Sequence, residues 1–116
     1  MFLARVTGHV VATQKDKTLN GQKLLVVEPL NVKYDEATKQ PASLGPTNRA
    51  IVAIDAVGCG EGQLVLIVQG SSARMTEQTK NLPADAVIVG IVDHAVYAGK
   101  TFYQSGTGDL PVSSLK

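Results

Sequence analysis

The sequence is poor in aromatic residues, in charge and in cysteine, and each shortage removes a class of function. Trp is absent, and aromatic residues make up 4% of the chain: Phe2, Tyr34, Tyr97, Phe102 and Tyr103. Single-stranded nucleic acid is held by stacking platforms in a positively charged groove. A formal charge of +1 supplies no such field, so composition argues against a nucleic-acid partner. Charged residues make up only 18%, below the ~25% of an average globular chain. Large exposed apolar patches are rare on monomers, so a surface this short of charge points to area hidden against a partner. Cys59 is the only cysteine, which excludes an intrachain disulfide and makes a reduced, cytosolic setting the default. No apolar run approaches the ~18 residues of a membrane-spanning helix. The start, MFLARV, has no basic region before its apolar residues, and Arg5, Thr7 and His9 interrupt it, so it does not read as a signal peptide.

What is present is aliphatic. Hydrophobic residues make up 44% of 116, enough for one domain with one core. From Phe2 to Thr13, small apolar residues at Phe2, Ala4, Val6, Gly8, Val10 and Ala12 alternate with a mostly polar set. Period two is the pattern of a half-buried strand. Gly8 inside it predicts a bulge or bend. Asn20-Gly21 is a turn signal, and Gln22 to Leu30 reads as a second strand in which Pro29 marks the end or an edge position. Residues 33–48 carry Asp35, Glu36, Lys39, Pro41, Ser43, Gly45 and Pro46 and are expected to form a surface loop. Arg49 to Val57 and Gln63 to Gln69 read as two strands around the Gly58–Gly62 turn, the pattern of a hairpin. Ser71 or Ser72 can cap a short helix that extends to Asn81 and is stopped by Pro83. Asp85 to Tyr97 is the longest aliphatic stretch, apolar on both faces. Thr101–Gln104 reads as a short extra strand, and Ser105–Lys116 as a loose tail. Five strands and one short helix before the last core strand, without a βαβ rhythm, predict an all-β fold, a small five-stranded OB-like β-barrel.

Several residues invite a chemical reading. Gly58-Cys59-Gly60-Glu61-Gly62 resembles a phosphate cradle in print, but that use needs a helix directly after it, and here a strand follows. Gly58, Gly60 and Gly62 are therefore turn glycines. Cys59 has no neighbouring His or Cys for a metal and no activating base. Asp93 and His94 are adjacent on a strand and so point to opposite faces. A triad of Ser71, Ser72 and His94 would need geometry the sequence does not supply. His9 falls on the polar face of the first strand, as a solvated or interface residue. Ser71, Ser72 and Arg74 are more informative: two hydroxyls at a helix start beside an arginine suit an anion or a neighbouring subunit.

Four motifs in order carry a family resemblance. They are Gly8 with Val10-Val11-Ala12-Thr13, then Asp55-Ala56-Val57-Gly58 with Gly60 and Gly62, then Gly70-Ser71-Ser72-Ala73-Arg74, then Ala86 through Asp93. Together they make the sequence similar to the EutN/CcmL family, the pentameric vertex proteins of bacterial microcompartment shells, carboxysomes included. The resemblance implies an OB-like barrel over residues 1–98 and self-assembly into a homopentamer, while residues 99–116 form a C-terminal extension beyond the family's usual pattern. It implies hexameric shell proteins as partners, no membrane or nucleic acid, no cofactor or metal, no catalysis, and a place in the shell within the bacterial cytoplasm. In such a ring, the polar loop between two buried strands is expected to bring Ser71, Ser72 and Arg74 to a subunit interface or axial pore. The alternative is an OB-fold module for single-stranded nucleic acid or oligosaccharide.

Overall fold

The computed structural model describes residues 1–13, 15, 17–35, 37, 40–70 and 85–106. Eight strands are present among them: β1 (Phe2–Val10), β2 (Leu24–Asp35), β3 (Gln40–Pro46), β4 (Ile51–Asp55), β5 (Leu64–Gln69), β6 (Ala86–Ile91), β7 (His94–Tyr97) and β8 (Lys100–Gln104). Five of them close on themselves. β1 pairs with β5, β5 with β6, β6 with β4, β4 with β2, and β2 returns to β1. Every contact in that circuit is antiparallel except β4–β6. The result is the expected five-stranded barrel, a sheet without free edges.

The pleat supplies the core. Ala4 and Val6, Leu25 and Val27, Val65 and Ile67, and Ala86 and Ile88 each point inward at every second position, with Ala53 from β4. All are buried. A barrel of five strands is narrow, and the recurrence of Ala among the inward residues fits that width. Between Val6 and Gly8 the register of β1 on β2 slips by one residue. This is the bulge that the glycine predicts, and it lets β1 curl across to reach both neighbours.

Three expectations need correction. Residues 33–48 are not a surface loop: β2 runs on to Asp35, and β3 pairs back on it from Leu30↔Pro46 to Asp35↔Gln40. Pro29 does not end β2, because it sits where β1's pairing stops, at Ala4↔Pro29, just before β3's begins. There a missing N–H costs little. β3 itself contains Pro41, Gly45 and Pro46, poor strand formers, but it lies at the end of the sheet order, where proline is tolerated. Leu44, 1% exposed, anchors it against Phe102, Tyr103 and Leu64. Secondly, β4 and β5 form no hairpin. They sit on opposite sides of β6, so the glycine turn spans the barrel end. Thirdly, the stretch Asp85–Tyr97 is two strands. Val92 donates its N–H to the Leu64 carbonyl at 2.9 Å, after which the chain leaves the barrel for the β7–β8 hairpin.

That hairpin is a separate two-stranded sheet. Its turn, Ala98-Gly99, has φ of 52° and 77°, the left-handed pair of a type I′ connection. Phe102 and Tyr103 pack it onto the β2–β3 extension, forming a second small core. The two hairpins make an arm projecting from the barrel. The expected helix after Ser71 and the tail beyond residue 106 lie outside the described residues.

Ile67 is fully buried at the centre of the barrel core. Ile67→Ala is expected to destabilise the chain by about 3 kcal/mol through lost burial and an unfilled cavity. Chemical denaturation with the native state followed by circular dichroism measures it.

Candidate functional site

The most constructed local feature is the connection from β4 to β5. Asp55 ends β4 on the same face as inward-pointing Ala53, so its carboxylate lies at the mouth of the barrel and is 6% exposed. A buried carboxylate must be hydrogen-bonded. Oδ1 accepts from the N–H groups of Val57 and Gly58, each at 2.9 Å. Oδ2 accepts from the N–H of Cys59 at 3.0 Å. Such a side chain holds the backbone after it in a tight turn, and Gly58 takes φ 81° there. Charge-assisted bonds of this kind are roughly twice as strong as neutral ones.

Further contacts pin the rest of the loop. Lys23 donates from Nζ to the Cys59 carbonyl at 2.8 Å, and Asp55 donates its N–H to the Lys23 carbonyl at 2.9 Å. Gly62, at φ 90°, donates to the Val6 carbonyl at 2.7 Å, and Val6 donates to the Gln63 carbonyl at 3.0 Å. Arg5 donates to the Gly62 carbonyl at 3.0 Å. His9 Nδ1 meets Glu61 Oε2 at 2.8 Å, in a pair so exposed that it adds little. The loop is therefore stitched to β1 on one side and β2 on the other.

This geometry does not make a reactive centre. The Cys59 thiol is buried in the barrel core. Burial first, and the Asp55 carboxylate second, push its pKa from 9.0 up to about 11. A thiol held protonated is not a nucleophile at neutral pH. Among the described residues no three His, Cys, Asp or Glu side chains gather to hold a metal. Asp93 lies in the bend before β7 and His94 opens β7, both exposed. Gly58, Gly60 and Gly62 all belong to the stitched loop, with only Gly58 and Gly62 at positive φ. Ser71, Ser72 and Arg74 lie outside the described residues. Sequence reasoning assigned Asp55 no role and passed over Lys23. The available signal was an aspartate followed at once by small residues and glycine, the composition of a side-chain-fastened turn.

The outer face of the barrel is apolar where β4 and β6 lie side by side. Ile54 and Val87 are buried on that side and pack with Leu19, Leu24, Ala56, Val68 and Val89. A groove runs beside them, with Asp85 as the one charged residue among the described residues that line it. Such a surface suits contact with other protein rather than with water.

Comparison with known proteins agrees with a surface-driven role. Residues 1–93 match the family model described as Ethanolamine utilisation protein EutN/carboxysome. The chain is 48% identical over 93 residues to the bacterial microcompartment shell vertex protein PduN of Salmonella typhimurium, which covers 80% of this chain and 96% of that protein. A solved structure of the ethanolamine utilization protein EutN superposes with a TM-score of 0.77 at 36% identity, over 90% of this chain and 99% of that one. The GrpN pentameric microcompartment shell protein from Rhodospirillum rubrum superposes with a TM-score of 0.67 at 41% identity, over 84% of this chain and 99% of that one.

Two outcomes follow from the stitched loop. Asp55→Ala leaves three N–H groups without their acceptor and is expected to cost about 2–3 kcal/mol, with Asp55→Asn costing less because one oxygen remains; equilibrium unfolding compares them. Because the folded thiol holds its proton up to about 11 while the unfolded one ionises near 9.0, Cys59's contribution to stability is intact below that lower value and declines as pH rises towards the upper one. Native protein should accordingly resist iodoacetamide at pH 8 and react once denatured, as mass spectrometry would record.

Proposed function

This chain belongs to the EutN/CcmL family, and from that premise we propose that five copies close into a ring that caps the vertices of a bacterial microcompartment shell. The relatives it matches are shell vertex proteins, and its role is structural, not enzymatic. The observation that carries this is the match to such proteins across nearly their whole length, one of them described as pentameric. The alternative of an oligonucleotide- or oligosaccharide-binding module gains no support from these relatives.

The physics of the ring is simple. A contact between two different patches of one subunit, repeated by rotation, closes into a cycle. A five-fold unit placed among hexagonal tiles removes a wedge from the plane and forces curvature. Hexameric shell proteins are therefore the partners we propose, in the bacterial cytoplasm where the shell encloses its enzymes. The near absence of net charge and the apolar outer face along β4 and β6 support burial against other protein. We also propose that Ser71, Ser72 and Arg74 lie at the subunit contact or around the axis.

Native mass spectrometry tests the ring. Five chains of 12.2 kDa give about 61 kDa by closure of a five-fold cycle; a chain that stays monomeric at micromolar concentration would contradict the proposal. Arg74→Ala should weaken the ring, and an unchanged melting profile of the assembly would remove Arg74 from the contact.

A further inference from the structure

Two apolar surfaces of this chain carry opposite charges, and they lie at opposite ends of β2. At its start, Leu24 lines the groove together with Leu19, Val52, Ile54 and Ala86, and among the described residues Asp85 supplies the charge there. Val52 on its floor is 50% exposed, although it belongs to an otherwise packed barrel face. At the other end of β2, on the arm, Tyr34 packs against Tyr97 of β7 with ring centroids 4.7 Å apart and the rings tilted by 59°. Tyr34 and Tyr97 remain 48% and 41% exposed, and Val32, on the same face as Tyr34, is 54% exposed. Lys100 sits directly across the hairpin from Tyr97.

The chain therefore carries a convex aromatic knob with a cation at its side and a concave aliphatic groove with an anion at its rim. Leu24 and Tyr34 are ten residues apart on one strand, on the order of 30 Å, so the knob cannot fill its own groove. A two-fold contact of either patch with itself would bring Lys100 against Lys100 or Asp85 against Asp85. A head-to-tail contact brings Lys100 to Asp85 instead, and head-to-tail contacts are the ones that generate rings. We infer that the Tyr34–Tyr97 knob of one copy seats in the Leu24–Val52–Ile54 groove of the next, with Lys100 facing the neighbour's Asp85. This rests on the ring reading above and specifies which surfaces make it.

Charge reversal tests the contact on the intact chain. Asp85→Lys and Lys100→Glu, both at exposed positions, should each raise the concentration at which the ring half-dissociates by about tenfold, and the double variant D85K/K100E should recover most of that loss. Val52→Arg, which fills the groove with a cation, should disrupt the ring without unfolding the chain, as far-UV circular dichroism would confirm. A ring in which Asp85→Lys, Lys100→Glu and Val52→Arg all assemble like the wild type overturns this contact while leaving the pentamer in place. A double variant no better than the worse single one also overturns it. A wild-type chain that forms no ring overturns the pentamer and this contact together.

Discussion

The rest of the molecule depends on closure of the barrel through β1. That strand pairs with β2 on one side and β5 on the other, and without it the sheet would be open at both ends. Closure imposes a narrow interior, and the inward positions are filled by alternating small and medium aliphatics. It also fixes the order of strands, placing β4 and β5 on opposite sides of β6. The chain must then cross the barrel end between them with little room and no ladder to pair with. The Asp55 carboxylate meets that demand, acting as the acceptor that a neighbouring strand would otherwise provide. Cys59, carried by this loop into the core, keeps its proton for the same reason that the loop is tight: water is excluded there.

Having satisfied its interior, the fold leaves an apolar outer face along β4 and β6. In an isolated domain the outward positions of a barrel strand are polar. Here β6 turns Ala86 and Ile88 inward and Val87 and Val89 outward, and the outward pair packs on Ile54 and Val68. A surface of that kind is consistent with a chain whose working form contains more than one copy. A shell vertex subunit does its work through its edges, and a chain with 18% charged residues has edges suited to burial.

The barrel was legible in the sequence because its signal is periodic. Ala4 and Val6, or Val65 and Ile67, announce an inward face by their spacing, and Gly8 announces the bulge. The arm was not legible, for the opposite reason. β3 contains two prolines, a serine and a glycine, and it is held as a strand by its ladder with β2 and by Leu44, buried against residues 58 and 59 positions further along the chain at Phe102 and Tyr103. Local composition cannot reveal a contact with a partner so distant in sequence. The supposed hairpin of β4 and β5 failed for a related reason: two strands around a short glycine turn look adjacent, yet barrel closure inserts β6 between them. Asp55 was quoted in a motif without a role, since a carboxylate that fastens a backbone turn looks no different in print from one at the surface.

The central claim is that this chain acts by closing a shell. The most direct measurement is co-expression of a hexameric microcompartment shell protein with and without this chain, scored by electron microscopy. The account predicts closed polyhedral particles only when the chain is present, and sheets, tubes or unclosed shells when it is missing. Equally closed particles in both cases, with none of this chain in the purified shells, would contradict it.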